Sequence, residues 1–353
     1  MTMDDTHKLP LPERSQNLLD EMARRVIVAD GAMGTMLQDA GPTMEDFQGL
    51  EGCNEILNVT RPDIVTAVHD AYFEVGVDCV ETNTFGANWS NLSDYDIEER
   101  IEELAEAGAR IAREGAERWE KDDSRQRWVL GSIGPGTKLP SLGHTTYSFL
   151  KSTFERQAEG LLKGGADAFM VETSQDLLQT KAAINGCKDA MRAAGTRLPL
   201  FVEVTVEATG TMLMGSEINA ALTALEPLSI DMIGLNCATG PQEMSEHLRQ
   251  LSRHSEIPVM VMPNAGLPVL TATGASYPLG PEELATAHEQ FVKEFGLSLV
   301  GGCCGTTPAH LKAVVDRVGA TKNSGSKTSS RSRCCQPLPT RQPDPGLFLP
   351  SNR

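Results

Sequence analysis

This chain of 353 residues lacks several common signatures, and each absence narrows what it does. No stretch of 18 or more apolar residues occurs, so no transmembrane helix is expected. The opening Met1-Thr2-Met3-Asp4-Asp5 carries neither the basic nor the apolar region of a signal peptide. A cytoplasmic location is expected, and there cysteines stay reduced, as thiols or metal ligands. The eight cysteines are therefore not expected to form a disulfide framework. Basic charge is scarce, with 31 Lys and Arg against 48 Asp and Glu and a net charge of −17. That balance argues against a nucleic-acid or membrane surface as the main partner. The seven histidines show no metal-ligand spacing, and His144 reads as a surface loop residue. No Gly-x-Gly-x-x-Gly turn is present, which weakens the case for an open dinucleotide-binding sheet.

What the chain does contain is a repeated unit: a short apolar run, a loop rich in Gly, Thr or Asn, then a helical pattern. The runs are Val26–Ala29, Cys79–Thr82, Trp128–Gly131, Ala168–Val171, Leu200–Val204, Met232–Leu235, Val259–Met262 and Ser298–Val300. Continuous apolar runs suit strands covered on both faces, as parallel sheets require. Helices are expected from Pro62, over Ile97–Ala116, from Ser152 to Leu162, and from Pro281 to Phe295 with Gly296 as its stop. Eight strands alternating with helices predict a single α/β domain, a (β/α)8 TIM barrel over residues 20–320. An open doubly wound sheet is the alternative. Residues 1–19 are an N-terminal extension. Residues 321–353 form a low-complexity segment with six Lys or Arg, one Asp and five prolines, expected to be a disordered tail.

In such a barrel the active site lies at the C-terminal ends of the strands. Those ends read Asp30-Gly31-Ala32-Met33-Gly34-Thr35, Glu81-Thr82-Asn83-Thr84, Gly131-Ser132, Glu172-Thr173, Glu203-Val204-Thr205, Asn236-Cys237, Pro263-Asn264 and Gly301-Gly302-Cys303-Cys304-Gly305. Nearly all supply a polar or cysteine side chain, which favours an enzyme. Successive strand residues point to opposite faces, so Cys303 and Cys304 converge only where the strand breaks, and the flanking glycines permit that break. Cys237, ending the sixth strand, is a third sulfur at the same end. Three thiolates leave a fourth tetrahedral position open, the arrangement of a catalytic Zn2+ site. A thiol entering that position would be deprotonated and become a nucleophile at neutral pH. The plainer readings are a small buried Cys237 and a redox pair at Cys303-Cys304. Cys53, Cys79 and Cys187 read as structural, and Cys334-Cys335 as incidental. Glu172 is placed to accept hydrogen bonds from a substrate ammonium, and the Asp30-Gly31 turn to hold a carboxylate on backbone N–H groups. A buried structural carboxylate and a plain strand-to-helix turn are the alternatives.

Asp-Gly-Ala-Met-Gly-Thr at 30–35, Glu-Thr-Asn-Thr-Phe at 81–85, Gly-Leu-Asn-Cys at 234–237 and Gly-Gly-Cys-Cys-Gly-Thr-Thr at 301–307 resemble the zinc-dependent homocysteine S-methyltransferase family. Glu51-Gly52-Cys53-Asn54-Glu55, Pro263–Pro268 and Pro308 extend the likeness towards the N-terminal homocysteine-binding module of the cobalamin-dependent methionine synthases. The resemblance covers roughly residues 20–320. It implies that Cys237, Cys303 and Cys304 bind zinc and that Asp30, Gly31, Thr84 and Glu172 surround the amino-acid end of homocysteine. It also places Asn236 and Asn264 near the site. The reaction it implies is attack of a zinc-bound thiolate on a methyl group, giving methionine, with methylcobalamin as the donor. No Asp-x-His-x-x-Gly cobalamin motif occurs in the chain, so that donor would be presented in trans by a corrinoid- and folate-binding partner or by missing downstream modules. The alternatives are a free-standing enzyme using S-methylmethionine or a betaine, and a non-catalytic zinc-stabilised binding module.

Overall fold

The computed structural model describes residues 5–271 and 274–323. The low-complexity tail, Cys334 and Cys335 included, lies outside the described residues from 324 onward. Ten strands occur in chain order: β1 Ile27–Val28, β2 Cys79–Glu81, β3 Trp128–Ile133, β4 Ala168–Ser174, β5 Leu200–Val204, β6 Met232–Asn236, β7 Val259–Met262, β8 Val269–Thr271, β9 Gly274–Ser276 and β10 Leu299–Val300. β8 and β9 form a separate antiparallel hairpin. The other eight bond in the order β1-β10-β7-β6-β5-β4-β3-β2, every pair parallel. An Ala29–Cys79 bridge and the Asp78 N–H to Val28 O bond (2.7 Å) join the last strand to the first. The sheet thus closes on itself as a (β/α)8 barrel, and the open-sheet alternative is excluded.

All eight apolar runs are strands, extended at β3, β4 and β6 by one to three residues towards the mouth. The helix expected from Ser152 starts earlier, at Tyr147, because Thr146 caps it by accepting the Phe149 N–H. The helix expected over 97–116 spans Ile101–Asp123. A helix at Glu13–Arg24, within the stretch read partly as an extension, closes the barrel floor. Its Leu18 and Met22 pack into the same buried cluster as Ile27, Leu130, Met170, Phe201, Met232 and Met260. Thr321–Asn323 pair back on Arg24 to Val26 beside it.

The floor also carries a recurring device. Gly76-Val77-Asp78, Gly165-Ala166-Asp167 and Ser229-Ile230-Asp231 each precede an even-numbered strand of the barrel. The first residue of each triplet has positive φ, at 94°, 91° and 56°. Each aspartate accepts an N–H from the preceding strand, from Val28, Val129 and Leu200 respectively, at 2.9 Å. Each is also paired with arginine: Asp78 with Arg25 and Arg125, Asp167 with Arg113 and Arg14, Asp231 with Arg197. These ties fix neighbouring strands at the floor, and the first of them joins the two- and three-residue strands β1 and β2.

At the mouth, strand alternation decides which side chains look inward. Two residues beyond the interior Cys79, Leu130, Met170 and Phe201 come Glu81, Ser132, Glu172 and Glu203. A polar layer dominated by carboxylates therefore lies directly on the apolar floor.

Candidate active site

Two turns bring the cysteines together. β6 ends at Asn236 and leads straight into Cys237 and Ala238, both left-handed at φ 58° and 55°, a costly conformation for residues with a Cβ. That kink turns the chain sharply, and the Cys237 N–H still bonds back to Met262 O (3.3 Å). After β10, the Cys303 N–H donates to Pro263 O (2.8 Å) and the Cys304 N–H to Asn264 Oδ1 (3.1 Å). Thr306 accepts none of this strain passively: its Oγ1 donates to Cys303 O (2.7 Å) and accepts the Ala32 N–H (3.2 Å). The turn at Asp30 is thereby tied to the cysteine turn. Gly31 must be glycine for that approach, since a Cβ there would sit 2.3 Å from Thr306 Oγ1.

Cys237 Sγ and Cys303 Sγ each lie 3.9 Å from Cys304 Sγ, and the three sulfurs are all within 4.8 Å of one another. The spacing is far too long for a disulfide. Zinc–sulfur bonds of about 2.3 Å at tetrahedral angles place sulfurs roughly 3.8 Å apart. The donor set and its spacing therefore fit Zn2+, with one position left for a ligand. Even without a metal the cluster polarises itself: hydrogen bonds from Cys237 and Cys303 hold Cys304 well below the usual thiol range. Cys303 is raised in return by its bonds to Cys237 and Cys304 and by burial. For Cys237 the bond with Cys303 acts downward, but Cys304 and burial outweigh it. Cys53, Cys79 and Cys187 are buried and stand apart from this group.

Beside the sulfurs lie the carboxylates. Glu172 is buried, its Oε1 accepting from Ser132 Oγ (2.5 Å) and its Oε2 from Asn236 Nδ2 (3.1 Å). Burial pushes it up to about 7 against the pull of hydrogen bonds from Ser132, Thr173 and Asn236. Asn236 is itself fixed, because its Oδ1 accepts the Thr173 N–H (2.9 Å). Asp30 is buried and accepts the Glu81 N–H on both oxygens (3.1 Å each). Burial, opposed by the Glu81 N–H and reinforced by the Glu172 charge, raises it well above the usual range. Glu203 is fully buried with no partner on either oxygen, and Glu81 Oε1 has none. Among the described residues, no lysine or arginine is hydrogen-bonded to any of these four. An opposite charge brought beside them would favour their ionised form.

The structure thus gathers Cys237, Cys303, Cys304, Asp30, Gly31, Glu172, Asn236 and Asn264 at one mouth. Thr84 is different. It is fully buried, its hydroxyl donating to Ser132 O (2.7 Å) and meeting Thr82 Oγ1 (2.6 Å). Gln157 closes the same knot by donating to Thr84 O (2.8 Å). Thr84 therefore shapes the wall that carries Ser132. Asn264 likewise serves the Cys304 turn. Glu55, from the Glu51–Glu55 motif, accepts the Gly86 N–H (2.7 Å) and orders the loop after β2. Sequence reasoning quoted Ser132 and Glu203 at strand ends without giving them a role, and it missed Tyr277. The inward period-two position was the available signal for the first two.

The model of the homocysteine S-methyltransferase family matches residues 27–318. The chain belongs to the homocysteine S-methyltransferase family. It is 63% identical over 306 residues to a methionine synthase of Mycobacterium tuberculosis, covering 87% of this chain and 26% of that protein. A methionine synthase of Mycobacterium leprae is 63% identical over 302 residues, 86% of this chain and 25% of the relative. The chain thus spans about a quarter of the length of these relatives. The fold is shared with the metallated form of the homocysteine methyltransferase MmuM from Escherichia coli, at a TM-score of 0.70 and 22% identity, over 86% of this chain and all of that one.

Proposed function

We propose that the barrel holds one Zn2+ on Cys237, Cys303 and Cys304 and methylates homocysteine with a methyl group brought by a protein-bound corrinoid. The observation that carries the reading is the three-sulfur cluster at tetrahedral spacing beside buried carboxylates that lack a cation. Zinc, when bound, makes the homocysteine sulfur available as a thiolate at neutral pH. The chain's own residues do the rest. Glu172, aimed by Ser132 and Asn236, accepts hydrogen bonds from the substrate ammonium, and the Asp30-Gly31 turn meets its carboxylate. The sulfur is then held facing the open mouth, where it displaces the methyl group from its donor and leaves as the thioether of methionine.

Two observations favour a large donor. The relatives at 63% identity are methionine synthases four times the length of the matched segment. In addition, Phe85, Leu142, Phe149, Leu213, Met214 and Leu267, six of the exposed large hydrophobics, lie between the end of a barrel strand and the first turn of the next long helix or its approach. They ring the mouth, and a clustered apolar rim marks a surface that meets a partner. No helix among the described residues is long and apolar enough to cross a membrane. Purified protein given homocysteine and, in parallel, methylcobalamin, S-methylmethionine or betaine tests the donor. Methionine from methylcobalamin alone is expected; turnover with a small donor at a comparable rate refutes the corrinoid reading.

A further inference from the structure

Both ends of the segment between β7 and the helix Pro281–Phe295 are tied close to the cysteine turn. Its near end is tied by the Ala265 N–H to Cys304 O (3.0 Å), and its far end by the Leu279 N–H to Ala265 O (2.9 Å). His310, in the helix Pro308–Val318, fixes the far end again. Its Nδ1 accepts the Thr307 N–H (3.2 Å), which leaves Nε2 to donate to Leu279 O (2.9 Å). Between these anchors Tyr277 lays its ring on the bare Cα of Gly305. A Cβ on Gly305 would stand 2.2 Å from Tyr277 Cγ and 2.3 Å from Cδ2, so only glycine admits the ring. The ring seat is therefore built on both sides, and it sets Tyr277 against Gly305, the residue that follows Cys304.

Cys304 is also the sulfur that both other cysteines touch, at 3.9 Å each. We infer that Tyr277 is a positioning residue of the three-cysteine centre, its O–H donating to Cys304 Sγ and fixing the direction in which that sulfur meets the metal. The inference rests on the zinc reading above. A hydrogen bond to a ligating thiolate draws charge from the sulfur, leaves the metal more electrophilic towards an incoming thiol, and holds the ligand in one rotamer. Loss of such outer partners typically costs about 10- to 100-fold in metal affinity or activity.

Tyr277→Phe tests this cleanly, because it keeps the ring on Gly305 and removes only the hydroxyl. Two readouts apply to the purified protein without any methyl donor. The first is the rate at which a chromogenic chelator strips zinc, expected to rise about tenfold in Tyr277→Phe. The second is the thiolate-to-metal charge-transfer band of the cobalt-substituted protein, expected to move to longer wavelength as Cys304 loses its donor. Unchanged zinc release together with an unchanged band would reduce Tyr277 to a packing residue and overturn the inference. A wild-type protein that holds no stoichiometric zinc sinks the parent reading instead, so the two failures are distinguishable.

Discussion

The two ends of the barrel use the same side chains for opposite purposes. At the floor, Asp78, Asp167 and Asp231 each accept a strand N–H and face one or two arginines. At the mouth, the buried Asp30, Glu172 and Glu203 and the half-buried Glu81 share a layer in which, among the described residues, no lysine or arginine is hydrogen-bonded to them. Burial raises Asp167 too, but Arg113 and Arg14 pull it back, whereas Glu203 has only the added repulsion of Glu172. A floor carboxylate is complete within the chain. A mouth carboxylate has no such cation beside it among the described residues. That contrast matches the division of labour in barrels of this kind, stability at the N-terminal face and chemistry at the C-terminal one.

Substitutions at the two ends should separate accordingly. The largest effect is expected for Cys237→Ala or Cys304→Ala, which should abolish stoichiometric zinc and homocysteine methylation while circular dichroism stays that of a folded barrel. Full activity in either variant contradicts the site. At the floor, Asp78→Ala strands Arg25, Arg125 and the Val28 N–H, and should cost roughly 3–5 kcal/mol of stability, the range for removing one partner of a buried ion pair. Denaturant unfolding measures it, and the Michaelis constant for homocysteine should not move. Glu172→Ala reverses that pattern. Homocysteine affinity by calorimetry should fall about 10- to 100-fold, from the roughly 1.5–3 kcal/mol of a charge-assisted hydrogen bond, with zinc retained.

The smallest effect concerns Glu203 and has a defined sign. Its folded value is raised above that of the unfolded chain by burial and by Glu172. Its contribution to stability is therefore fully present below the unfolded carboxylate value, and declines as pH rises towards the folded one. Glu203→Gln removes the decline. The variant should be more stable than wild type at pH 8 by on the order of 1 kcal/mol, and the gap should close as pH falls towards 4.5. A gap that instead widens in acid would mean that Glu203 is ionised and satisfied.

The strands were legible because eight apolar runs alternate with capped helices, and parallel strands buried on both faces carry that signal at full strength. The cysteine centre was legible because adjacent cysteines between glycines have few other uses. Less visible was whatever depends on long-range contact. Thr84 sits in a motif with substrate residues, yet Ser132 O and Thr82 take its hydroxyl, which no local pattern reveals. The helix Glu13–Arg24 is amphipathic, but only the closed floor shows that Leu18 and Met22 plug it. Tyr277 lies 27 positions from Cys304 in sequence, and its ring comes against the neighbouring Gly305 only because glycine leaves room. The paired aspartates did carry a local sign, a left-handed residue two positions before each, readable as Gly-x-Asp ahead of β2 and β4.

The central claim is that three protein sulfurs leave a fourth place that the substrate thiol fills. X-ray absorption at the zinc edge measures this directly on the purified protein before and after homocysteine is added. Three sulfur neighbours and one lighter atom are expected in the free protein, and four sulfurs in the complex. An unchanged first shell, or four sulfurs before any homocysteine is present, would contradict the account.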